Sequence, residues 1–194
     1  MGHISTEAFR RLFLFGLIAQ FRRGCDTKKR LQKVSYFATS ECQIHPYTYK
    51  HWHFGQYSDQ VEDTRRELEA LGYIQTVPLG DSEAVNYRVY PSRAATFLRH
   101  AVNAMGPSCL RLMADAVKEY GYLPEDELVS KAYEDELLRN SQMGEVLLSS
   151  NIEQGHMTIA LPEEECWELE LALSPKVVNS LKALSDGLEI CPLK

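Results

Sequence analysis

The sequence predicts an α+β fold in which three helices precede an antiparallel β-ribbon and a mostly helical C-terminal extension carrying a short β element follows. Three observations predict it. Val61, Thr64, Leu68 and Leu71 recur at helical spacing behind Ser58 and stop at Gly72. Tyr73–Leu79 and Ala84–Tyr90 are strand-like runs rich in Tyr, Val, Ile and Thr, joined through Gly80-Asp81-Ser82-Glu83. Two more helical patterns stand ahead of them. Three helices and then a strand pair is the order of a winged helix-turn-helix domain, placed at residues 5–106, with 107–194 as an acidic, mostly helical C-terminal region.

Taken in order, Ser5 or Thr6 caps a first helix, whose Phe9, Leu12, Phe13, Gly16, Leu17 and Phe21 are spaced for burial. Its apolar content is high all round, as in a central helix. Arg22-Arg23-Gly24 ends it with cations and then glycine. Asp26 or Thr27 caps a second helix, Lys28–Ser40, with Leu31, Val34, Phe37 and Ala38 inward and Lys28, Lys29, Arg30 and Lys33 on the other face and first turn. Pro46 makes 42–50 a loop. Ser58 is the expected cap of the third helix, and Asp59, Glu62 and Asp63 suit its positive end. Gly72 stands where a left-handed residue closes a helix.

After the ribbon, Pro91-Ser92 starts a helix over 93–105, and Gly106-Pro107 breaks it. Further helices are expected over Ser108–Tyr120 and Pro124–Asn140, the latter with Pro124 in its first turn. Most of Gln142–Gln154 reads as loop and Met157–Leu161 as strand. Trp167–Leu173 alternates apolar and polar residues, which favours a strand, although Glu, Leu and Ala are good helix formers. Ser174-Pro175 opens a last helix that runs to Gly187.

The run Phe54–Ile74 (FGQYSDQVEDTRRELEALGYI) resembles the signature of the Panacea and YwgA-like winged-helix families. Tyr57-Ser58, Leu68 and Gly72-Tyr73-Ile74 match that pattern; Gln56 stands where proline is usual and Phe54 where tyrosine is. The matching residues are structural, so the resemblance implies a DNA-binding-type scaffold, used either on DNA or to grip a protein partner such as a toxin.

Composition narrows the class. An apolar share of 44% is enough for a globular core, and no apolar run approaches the roughly 18 residues that a membrane helix requires. The longest such stretch, Phe13–Ala19, is followed by Arg22-Arg23 rather than by a small-residue cleavage site, which predicts a cytoplasmic protein without membrane attachment. Five scattered cysteines without a C-x-x-C predict free thiols. The net charge of −6 conceals a gradient. Residues 1–50 carry nine Lys/Arg against three Asp/Glu, whereas 107–194 carry seven against seventeen. Such asymmetry points to nucleic acid at the basic end, or to a basic partner at the acidic end.

Two surfaces are therefore candidates. Arg22, Arg23, Lys28, Lys29, Arg30 and Lys33, with Arg88 on the ribbon, form the phosphate-contact set, since backbone contacts dominate DNA affinity without reading sequence. The outward residues of the third helix, Asp59, Glu62, Asp63, Arg66 and Glu69, are too acidic for a groove and form the protein-partner set. A Glu62–Arg66 surface pair is the plainer account of part of that set. Trp52 and Phe54 are expected in the core under the ribbon. The spacing C-x2-H-x5-H-x-H over Cys42–His53 matches no established zinc pattern, and no P-loop, GxGxxG, GxSxG or HExxH is present. Neither an enzyme, a metal nor a cofactor is expected. The expected function is a regulatory DNA-binding protein, a homodimer joined through its C-terminal region; the alternative is an antitoxin-like or adaptor-like protein-interaction module.

Overall fold

The computed structural model describes residues 2–79, 85–152, 156–159 and 163–174. The fold is α+β, with three small antiparallel sheets around a helical core. Its centre is α1 (Thr6–Ala19), started by the Ser5 hydroxyl, which accepts the Ala8 N–H at 3.1 Å. From Phe9 to Ile18 nearly every side chain of α1 is buried, because helices pack on several sides of it. Even Arg11 is buried, held by Glu67 at 2.7 Å and by the Leu173 carbonyl at 2.6 Å.

Strand β2 (Cys25–Asp26) leads into α2 (Lys28–Cys42). Thr27 caps α2 with its hydroxyl, accepting the Arg30 N–H at 3.2 Å, and does so at φ 74°, an unusual conformation for a β-branched residue. Its own N–H donates to Val85 O at 2.8 Å, so the helix start is tied to the sheet. That sheet has the order β2-β6-β5, where β5 is Ile74–Pro78 and β6 is Val85–Val89. The turn at 80–84 lies outside the described residues.

Helix α3 (Asp59–Ala70) ends as its sequence requires. Gly72 takes φ +71°, and the Tyr73 N–H reaches back to Leu68 O at 2.9 Å. Its start differs from expectation. The Ser58 hydroxyl is buried, has no partner among the described residues and does not cap the helix; instead the Gln32 side chain of α2 bonds both the N–H and the carbonyl of Ser58, at 2.9 and 3.0 Å.

Between α2 and α3 lies an unexpected hairpin. Strand β3 (Tyr49–Trp52) pairs with β4 (Gly55–Tyr57) across the two-residue turn His53-Phe54, and β7 (Val146–Leu148) extends the sheet to β4-β3-β7. The stretch read as loop around Val146 is thus in part a strand. Strand β1 (Gly2–Ser5) pairs with β8 (His156–Ile159), which overlaps the run read as strand at 157–159.

Helix α4 (Pro91–Tyr120) is interrupted at Gly106, whose φ of 79° marks the kink foreseen at Gly106-Pro107. Helices α5 (Glu125–Glu134) and α6 (Glu136–Arg139) follow. The alternating segment is helical rather than extended over 167–172, within α7 (Glu163–Ala172). Three glutamates in its first turn favour the helix N-terminus, and Cys166 and Leu173, seven residues apart, are both buried. The helix expected from Ser174-Pro175 lies outside the described residues. No helix among those described is long and apolar enough to cross a membrane.

Candidate functional site: two basic clefts

The basic run does not form one surface. Its first pair, Arg22 and Arg23, leaves α1 in a turn held by cross-chain bonds. The Arg22 N–H donates to the Tyr122 hydroxyl at 3.0 Å, and Asn86 Nδ2 donates to Arg23 O at 2.9 Å. Gly24 lets this turn lie against β6: a Cβ there, at φ +84°, would stand 2.8 Å from Tyr87 O. Arg88 projects from the neighbouring strand, so Arg22, Arg23 and Arg88 line one cleft of about 420 Å³ together with Phe21 and Val89. All three arginines are exposed, and among the described residues none has a carboxylate within ion-pair distance.

Arg30 and Lys33 correct the expectation, because both are buried, at 7% and 2% exposure. Arg30 donates to Leu123 O at 2.7 Å and Gly121 O at 3.3 Å and pairs with Asp26, which ties α2 to the end of α4. Lys33 donates to Gln56 O at 3.0 Å beneath the β3–β4 hairpin. Neither is placed to meet the backbone of a DNA duplex, because both lie beneath the protein surface. Both lie on the stripe of α2 that carries Phe37, so spacing held the signal; their charge obscured it.

Lys28 and Lys29 border the second cleft, of about 390 Å³, whose other wall is the hairpin. Lys29 Nζ stands 4.5 Å from the Phe54 ring centre, and Lys28 Nζ 5.7 Å from that of Tyr57. Lys50 Nζ lies 5.1 Å from the Trp52 ring. Trp52 and Phe54, expected in the core, are 40% and 59% exposed. The hairpin turn lifts them off the protein body, and the core positions go to Tyr47 and Tyr49 instead. Each lysine also has a carboxylate neighbour: Glu62 for Lys28, Glu125 for Lys29 and Asp59 for Lys50.

The α3 partner set is largely self-satisfied. Glu62 is buried, and its carboxylate meets Arg66 at 3.0 Å, Arg65 at 3.2 Å and Lys28 at 3.5 Å. Burial pushes its pKa up, but the Arg65 hydrogen bond and the surrounding cations outweigh that and hold it below the ordinary carboxylate value. Glu69 pairs with Arg65 at 2.8 Å and Asp59 with Lys50 at 2.7 Å. Asp63 is exposed, and Arg66 is exposed apart from its bond to Glu62. Cys25, Cys42, Cys109 and Cys166 are free thiols, and among the described residues no cluster is able to hold a metal ion.

Compared with known proteins, the chain matches no family, no curated relative and no solved structure.

Proposed function

We propose that the protein is a regulatory DNA-binding protein on a winged-helix scaffold, gripping the phosphate backbone at the Arg22–Arg23–Arg88 cleft. The observation that carries the reading is the convergence of three exposed arginines, without acidic partners among the described residues, from two separate segments onto one cleft. Arginine presents planar, bidentate donors to phosphate, and an unpaired one forfeits no ion pair in doing so. The scaffold reading is supported by the order of α1, β2, α2, α3, β5 and β6 and by the sheet order β2-β6-β5. Lys28 and Lys29, on the other cleft and each beside a carboxylate, lie outside this contact.

Helix α3 offers no unpaired cation for base edges, so the contact is to backbone and tolerant of sequence. Fluorescence anisotropy with a labelled duplex tests this. Log affinity is expected to fall with log salt at a slope of about −3, from roughly 0.9 per neutralised phosphate. An Arg22→Glu/Arg23→Glu/Arg88→Glu variant should lose both the affinity and the slope, and equal binding by that variant overturns the proposal. A protein-interaction module is the competing reading, favoured by the exposed Leu137, Met143 and Val146 beside α6 and β7. Wild-type protein that binds no DNA at low salt, yet co-purifies with a partner lost on Val146→Glu, decides for it.

A further inference from the structure

The second cleft has features that backbone contact with DNA does not use. At its floor Lys33 is 2% exposed, and its ammonium has a single hydrogen-bond acceptor among the described residues, the Gln56 carbonyl. No carboxylate lines the cleft; its other titratable groups are Lys28 and Lys29 from α2 and His53 and Tyr57 from the hairpin. Gln56, also in the lining, is 1% exposed and its side-chain Nε2 donates to Ala132 O at 3.0 Å, which fixes the strand that carries the Lys33 acceptor. The outer wall is the exposed rings of Trp52 and Phe54.

A buried amine with unused donors is costly to keep in a protein, and donors of this kind are normally satisfied. Here a flat apolar wall and a buried cation with unused donors meet in a space sized for a small molecule. We infer that this cleft binds a small organic anion with a flat ring, its carboxylate or phosphate on Lys33 and its ring against Phe54 and Trp52. The anion supplies the acceptor that Lys33 lacks, and Lys28 and Lys29 at the rim draw it in. Burial, with Lys29 adding like-charge repulsion, pushes the Lys33 pKa down to about 7, so a bound anion would also favour its protonated form. This inference stands independently of the DNA reading.

The test is a fluorescence titration with anilinonaphthalene sulfonate, a flat aromatic monoanion, on the acid side of pH 7. One dye per chain is expected, displaced by naphthoate or adenosine monophosphate but not by the neutral naphthalene methanol. Displacement by the nucleotide alone makes the natural ligand a nucleotide, and displacement by naphthoate alone makes it an aromatic carboxylate. Lys33→Met should weaken the dye about tenfold, the scale of one charged hydrogen bond. Phe54→Ala, at an exposed position that leaves the fold intact, should weaken it roughly fivefold through lost ring contact. Dye binding at wild-type strength in both variants, or displacement by the neutral analogue as readily as by naphthoate, overturns the inference. DNA affinity in Lys33→Met is expected within about twofold of wild type, because only surface cations release counterions. Dye binding without DNA binding therefore sinks the functional proposal alone, and the reverse sinks this one alone.

Discussion

Lys33 shows how far one residue departs from its sequence appearance. In a run with five other cations it reads as surface charge, yet it sits under the β3–β4 hairpin with its ammonium on Gln56 O. Its pKa in the folded chain, about 7, lies below the ordinary lysine value of 10.5. Below pH 7 both folded and unfolded chains hold the proton, and folding carries the full penalty of a buried charge. Between 7 and 10.5 the unfolded chain binds more protons, so the contribution of Lys33 to stability rises with pH. Urea unfolding should therefore show wild type gaining on Lys33→Met by about 2 kcal/mol between pH 7 and 9, at 1.36 kcal/mol per unit of pH difference. A constant gap across that range would show that the amine is not buried as a charge. The other basic residues divide by the same rule: Arg30 is consumed by carbonyls at the end of α4, while Arg22, Arg23 and Arg88 remain exposed.

At the scale of elements, the start of α3 separates what local sequence states from what packing supplies. Ser58 stands in the cap position but makes no cap bond, and among the described residues its buried hydroxyl has no hydrogen-bond partner. Gln32 of α2 does the anchoring, with two bonds to the Ser58 backbone. Ser58→Ala should therefore change stability by less than about 0.5 kcal/mol, against the ~1 kcal/mol usual for a lost cap. Gln32→Ala should cost roughly 2–3 kcal/mol, since it leaves two buried backbone groups unpaired. Equal costs in thermal unfolding would contradict this division. The C-terminal end of α3 was legible, because Gly72 closes it within its own few residues. The hairpin was not, since its turn is His53-Phe54 with no glycine or asparagine at the centre, and Gly55 takes the positive φ just after. Helix α7 departs from its strand pattern because period-two alternation over seven residues fits either state, and three first-turn glutamates with Cys166 buried favour the helix.

At the scale of the molecule, the segment after Gly106 is built into the segment before it. Strand β7 completes the hairpin sheet, β8 pairs with β1, and the Phe37 ring stacks on Tyr120 at 4.1 Å. A chain ending at residue 106 loses these contacts and the carbonyls that satisfy Arg30. It should show no cooperative thermal transition by circular dichroism, because it also loses Cys109, Met113, Ala116 and Val117 from the core, a burial comparable with the roughly 5–15 kcal/mol that holds a typical domain. A cooperative transition near the full-length midpoint would show instead that residues 5–106 are autonomous. The two clefts share this dependence on distant parts of the chain: Arg88 joins Arg22 and Arg23 across about sixty residues of sequence, and the hairpin closes over Lys33 only because β3 and β4 fold back onto α2. By itself, the sequence determined helices α1 to α3, the Gly72 stop, the β5–β6 ribbon and the break at Gly106, because each is written in residues within a few turns of one another. Which cations face water, which aromatics leave the core and which segments meet in the clefts only the tertiary structure decided, because burial and charge pairing are set by neighbours far along the chain.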